Sequence, residues 1–304
     1  MFHSTRSAPL WIGVVLAFGL AGGCAPGGAG GGGGGGGDAD ANANANANGN
    51  VVDNQNDNQA TTNGLSDALV TDHAAAADFE AIPDSFLAEA SAGYRIFYGH
   101  TSHGSQIVTG MNMIQAEDDR CAFNAGEGSL YLHERDDVDL GYEGDLAWVD
   151  VTREVLDTWD VRINMVMWSW CAGVSDNTEE GIDAYLEAMN ELESEYPGVV
   201  FVYMTGHLDG TGADGTLNVL NDRIRDYCRA NDRILFDFAD IESYDPDGDR
   251  HPNDTEACEW CEDWCAVHSC PTCDECAHSH CFNCYQKGRA FWWMMARIAG
   301  WDGG

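Results

Sequence analysis

The sequence predicts an α/β domain built on a parallel sheet with helices on both faces. Two observations carry this reading: short apolar runs rich in β-branched and aromatic residues, and helix-period segments that alternate with them. The runs are residues 94–98 (YRIFY), 163–168 (INMVMW), 199–204 (VVFVYM) and 234–238 (ILFDF). They are apolar on both faces, as strands covered on two sides must be.

Between the last runs, residues 178–196 place Ile182, Tyr185, Leu186, Met189 and Leu192 on one helical face, with Asn177 or Thr178 as the cap. Leu220, Ile224, Tyr227 and Cys228 repeat the spacing, and residues 290–298 (AFWWMMARI) form a terminal helix that is apolar almost all round. Parallel sheets of this kind bind ligands beyond the carboxyl ends of their strands. Most of the polar motifs below fall at such an end or just before the last helix.

The ends of the chain set its address. Residues 1–23 read as a cleaved signal peptide: Arg6 is the only basic side chain, and the apolar run 9–20 (PLWIGVVLAFGL) is shorter than the roughly 20 residues of a membrane span. The small residues before Cys24 resemble a bacterial lipobox, which implies a lipidated Cys24. Residues 24–66 are mostly Gly, Ala, Asn and Asp, and a segment with so little to bury stays a flexible tether. Residues 67–304 remain as the folded domain. The chain is therefore expected outside the cytoplasm, lipid-anchored to the bacterial cell membrane or outer membrane, with the lipid as its only membrane contact.

The 304 residues carry 51 acidic and 14 basic side chains, a formal net charge of −37, and Lys287 is the only lysine. Such a surface repels phosphate backbones, so nucleic acid is excluded as a partner.

The run 94–98 leads straight into Gly99-His100-Thr101-Ser102-His103-Gly104, and a helix-compatible stretch follows from Ser105. A strand, a tight turn and a helix start suit a nucleophilic serine: the turn exposes Oγ, and the helix start offers N–H groups to an oxyanion. The same residues also make an ordinary helix-capping turn. Downstream, Glu275-Cys276-Ala277-His278 places a carboxylate one turn from an imidazole, just before the terminal helix.

Together these segments resemble the SGNH (GDSL-type) hydrolase superfamily. YGHTSHGSQI, MWSWCAG, FVYMTGHLDG, ILFDFADIESYDPDG and CAHSHCFNCYQKGRAFWWMMARIAGWDG are similar to a group of its bacterial extracytoplasmic members, over roughly residues 94–303. The resemblance implies a flavodoxin-like three-layer α/β/α sandwich with a cysteine-rich insertion before the last helix. It also implies that Ser102 is the nucleophile, His278 the general base and Glu275 the orienting acid. Thr101 stands where the family has Asp, and Thr205-Gly206-His207 replaces its GxND block, so the oxyanion hole is assigned to Ser102 with Gly173 and His207. The implied activity is hydrolysis of an ester on an extracellular small molecule, glycan or lipid, and no cofactor is called for. The alternatives are a catalytically silent surface module that binds a glycan or partner, and a metal-binding protein.

Eight cysteines crowd into residues 258–284: Cys258, Cys261, Cys265, Cys270, Cys273, Cys276, Cys281 and Cys284. Their C-x-x-C spacings fit zinc in a cytosolic chain, but an exported chain meets an oxidising compartment, which favours disulfides. Eight cysteines allow 105 pairings, so none is assigned. Outside Cys24 the cysteine count is odd, and Cys228, on the apolar face of its helix, is the expected buried free thiol. Asp245, Asp247 and Asp249 are spaced as at the start of a calcium loop whose twelfth position is Glu256, although Arg250 stands where that loop needs Gly. A solvated acidic turn is the simpler reading. His100, His103 and His207 are a further candidate metal group at the strand ends.

Overall fold

A computed structural model describes residues 67–304, apart from Glu143 and Ala172. The expected signal peptide, Cys24 and tether lie outside the described residues.

The described chain folds around one six-stranded, all-parallel sheet in the order β1-β6-β5-β4-β2-β3. The strands are β1 (Leu69–Thr71), β2 (Arg95–Gly99), β3 (Tyr131–Arg135), β4 (Met165–Trp168), β5 (Val200–Met204) and β6 (Ile234–Phe236). Counted from β2, the five later strands run 2-1-3-4-5, the flavodoxin-like order, and β1 adds an outer strand beside β6. The expected strands are β2, β4, β5 and β6. Tyr94 instead caps helix α2 (Asp84–Gly93), and Phe238 opens α7 (Phe238–Ser243).

The remaining helices are α1 (His73–Ala77), α3 (Ser105–Glu117), α4 (Ala147–Thr158), α5 (Glu179–Glu195), α6 (Thr216–Ala230), α8 (Glu259–Val267) and α9 (Cys281–Ile298). Helix α5 starts at Thr178, whose hydroxyl accepts the Gly181 N–H at 3.1 Å. The terminal helix begins nine residues earlier than expected, because Cys281 and Cys284 lie in its first turn. None of the described helices is long and apolar enough to cross a membrane.

Helices α1, α2 and α3 all pack on α9, while α5 and α6 pack on each other and on β5. The α3–α9 contact is a backbone one: a Cβ on Gly110 would lie 1.9 Å from the Cys284 carbonyl oxygen, and one on Gly288 would lie 2.4 Å from the Gly110 carbonyl carbon. Only glycine at both positions allows the helices this close. The contact fixes the segment before α9 against the turn before α3.

The eight clustered cysteines form four disulfides, Cys258–Cys261, Cys265–Cys270, Cys273–Cys281 and Cys276–Cys284, and not a zinc cluster. They staple a small satellite core of Trp260 and Phe282, flanked by Trp264 and Tyr285. Stable disulfides of this number indicate a non-cytoplasmic environment. Cys228 is a buried free thiol as expected, and so is Cys121.

Candidate functional site

β2 has β3 on one side and β4 on the other, so the sheet reverses its winding between β2 and β4. A crevice opens beyond the carboxyl ends of the strands at such a switch point. Here it receives the turn after β2, the Ser169–Trp170–Cys171 segment after β4, the loop after β5 and the loop before α9.

The turn after β2 folds tightly on the end of β4. Tyr98 donates its hydroxyl to the Gly104 carbonyl at 3.0 Å, and a Cβ on Gly104 would stand 2.3 Å from Ser169 Oγ. Ser102 is half-buried at the start of this turn, with Oγ 3.6 Å from Cys171 Sγ. The amides of Ser105, Gln106 and Ile107 bond back to Thr101, His103 and Gly104, whereas those of Ser102 and Gly104 donate to no acceptor among the described residues. The amides of Thr101 and His103 are likewise without an acceptor among the described residues, so the turn carries a run of open N–H groups, the kind of donor an oxyanion uses.

Next to Ser102, three imidazoles form a column. The buried rings of His103 and His207 stack at 3.8 Å with 4° between their planes, and the exposed ring of His278 stacks on His103 at 4.7 Å. One carboxylate serves them: Glu256 Oε2 lies 2.7 Å from His103 Nε2 and 3.3 Å from His207 Nδ1. Burial lowers the His103 pKa from its ordinary value, favouring the neutral ring. The His103 hydrogen bond holds the Glu256 carboxyl below its usual range. On its other edge His103 Nδ1 lies 3.2 Å from Cys171 Sγ.

A fully buried polar network ties the loops of the site together. Lys287 Nζ donates to Glu242 Oε1 at 2.6 Å and to Gln106 Oε1. Glu242 Oε2 accepts the Leu208 N–H at 2.8 Å, beside His207, and Gln106 Nε2 donates to the Ala277 carbonyl at 2.6 Å, beside His278. Burial lowers the Lys287 pKa to about 8. The single lysine of the chain thus anchors both histidine-bearing loops to α3.

Of the residues expected from sequence, His207 and His278 both stack on His103, and Ser102 Oγ reaches the same Cys171 Sγ that His103 Nδ1 faces. Gly173 is buried just past β4, where a Cβ would stand 2.7 Å from the Gly141 carbonyl oxygen. Glu275 is exposed and makes no hydrogen bond or ion pair among the described residues. Glu256 occupies the place beside the imidazoles; its only sequence signal is as the twelfth position counted from Asp245. Asp245 Oδ1 accepts the N–H groups of Asp247 and Asp249, both at 3.0 Å, and Oδ2 lies 3.1 Å from His251 Nε2. Asp245 therefore shapes a turn, and Asp247 and Asp249 join none of the metal-capable groups among the described residues. His100 leaves the column and lies 3.3 Å from Glu134. A second group, Asp72, His73 and Asp240, lies at the end of β1, with His73 Nδ1 2.5 Å from Asp240 Oδ1.

No protein-family model and no curated protein matches the chain.

Proposed function

We propose that residues 67–304 form a serine ester hydrolase of SGNH type, with Ser102 as nucleophile and His278 as general base. The observation that carries this reading is the stacking of His207 and His278 on His103, the neighbour of Ser102 in the turn after β2 at the β2/β4 switch point, where the turn amides are open. Ser102 Oγ attacks the acyl carbonyl, His278 takes the hydroxyl proton and returns it to the leaving alcohol, and water then releases the acyl group. Ser102 Oγ lies against Cys171 Sγ and makes no hydrogen bond to His278, so the reaction requires the His278 loop and the Ser102 turn to close on each other as substrate binds. Glu256, which bonds His103 in the middle of the column and reaches His278 through its charge alone, stabilises the imidazolium in the role the resemblance gives to Glu275.

The four disulfides support an extracytoplasmic location, and we place the domain at the cell surface on a lipidated Cys24. The substrate class is then an ester on an extracellular glycan or lipid. A second reading, a catalytically silent module that binds a glycan or partner, is favoured by the exposed, unpaired Glu275.

The test is a fluorophosphonate probe on the full chain, beside Ser102→Ala and a panel of acyl esters. Labelling that Ser102→Ala abolishes supports the hydrolase. A wild-type chain that takes no label and turns over no ester is the silent module.

A further inference from the structure

Serine hydrolysis needs no cation, yet the column brings two buried imidazoles onto one half-buried carboxylate. The ligand-capable atoms of His103, His207 and Glu256 all lie within 4.8 Å of one another. We propose that these three residues form a binding site for one divalent transition-metal cation, with zinc the best match to the ligand set.

Two neutral nitrogens and one carboxylate suit zinc and its neighbours in the first transition row, whereas calcium and magnesium prefer all-oxygen cages. Zinc sites that act on substrates commonly have three protein ligands, two histidines and a glutamate among the known sets, and keep a fourth position open. Tetrahedral bonds of about 2.0 Å place ligand atoms roughly 3.3 Å apart. Glu256 Oε2 is already 3.3 Å from His207 Nδ1 and 2.7 Å from His103 Nε2. Because the two rings lie parallel at 3.8 Å, an ion in the plane of one lies outside the plane of the other, so metal binding turns the His207 ring out of the stack as the carboxylate retreats from His103. His207 Nδ1, which also lies 2.8 Å from the Leu208 carbonyl, exchanges that bond for the cation.

The surroundings also orient the ligands. With Nε2 of His103 on the metal, its Nδ1–H points to Cys171 Sγ at 3.2 Å, the kind of outer hydrogen bond that fixes a ligand imidazole. The Leu208 amide is held by buried Glu242, which fixes the backbone beside His207.

The test uses the full, oxidised chain, stripped with a chelator, dialysed and titrated with zinc in the presence of millimolar calcium and magnesium. One zinc per chain is expected, with affinity falling at least tenfold in Glu256→Gln and in His207→Ala. Asp72→Asn, in the other acidic-histidine group, leaves the affinity unchanged. Cobalt added instead of zinc reports ligation by its visible spectrum, which Glu256→Gln alters. Near-ultraviolet circular dichroism verifies that each variant is folded, and the isosteric Glu256→Gln carries the test if His207→Ala is not. Absence of stoichiometric binding overturns the proposal, as does binding that both column variants leave intact or that Asp72→Asn abolishes. Fluorophosphonate labelling of the zinc-free chain is read separately, so a failed metal site leaves the hydrolase reading standing and a failed hydrolase leaves the metal site standing.

Discussion

Gly110 of α3 and Gly288 of α9 meet backbone to backbone, with the Gly288 amide nitrogen 2.7 Å from where a Gly110 Cβ would stand. This crossing sets the position of Gln106 and, through its bond to the Ala277 carbonyl, of the His278 loop.

Gly288→Ala therefore forces the two helices apart. A loss of about 1–3 kcal/mol in unfolding free energy is expected, the usual range for overpacking, or more because backbone atoms cannot rotate away. Denaturant titration measures it. Fluorophosphonate labelling should slow in parallel, since the His278 loop moves with α9; unchanged stability and labelling would show that the crossing does not hold the site.

Lys287→Met leaves Glu242 as an uncompensated charge in the core, and removal of one partner from a buried pair typically costs about 3–5 kcal/mol. The double variant Lys287→Met/Glu242→Gln should recover part of that loss. The pH dependence has a definite sign. Lys287 titrates at about 8 in the fold against 10.5 for an ordinary lysine, so the unfolded chain binds more protons between those values. Its contribution to stability is thus constant below about pH 8 and rises from there to about pH 10.5. Lys287→Met should abolish that rise in a series of melts.

Glu256 and Glu275 make opposite predictions. Glu256→Gln removes the charge beside the imidazoles and should lower ester turnover by about tenfold or more, within the range typical of acid–base groups. Glu275→Gln alters an exposed side chain without a partner and should stay within about twofold, because surface changes away from such contacts are small in effect. Equal losses in both variants would return the orienting role to Glu275.

Cys121 and Cys228, the free thiols among the described residues, should be silent until the chain unfolds. Burial raises the Cys121 pKa to about 12 and pushes that of Cys228 higher still, so neither offers thiolate at neutral pH. Iodoacetamide without reductant should leave both unmodified in the native chain and alkylate both in guanidinium, as peptide mass analysis would show. Modification of Cys228 in the native state would contradict its burial in α6.

Residues with a periodic signal were legible in the sequence. β2, β4, β5 and β6 are continuous apolar runs, and α5 and α6 show a clear helical face. β1 is three residues long and β3 reads Tyr-Leu-His-Glu-Arg with only Leu132 fully buried, so neither carries a pattern that separates it from a loop. The first half of α9 was hidden because its buried face includes Cys284, Asn283 and Lys287, which look polar until their partners are known. Ser102, His207 and His278 stand out in the sequence because each lies at a strand end or just before the last helix. The Glu256–His103 contact was not legible, because it spans 153 residues of chain and no local spacing encodes it.

The four disulfides span only 3, 5, 8 and 8 residues. Such short rings remove little entropy from an unfolded chain, less than the roughly 3 kcal/mol of a 15-residue loop, so their worth lies in timing more than in stability. Each pair of sulfurs emerges from synthesis almost together and can close without help from the sheet. β1, by contrast, must wait for Ile234 to be made before Leu69 finds its neighbour. The staple and the sheet are thus separable steps of assembly, and an oxidant that arrives late would delay the His278 loop while leaving the six strands free to pair.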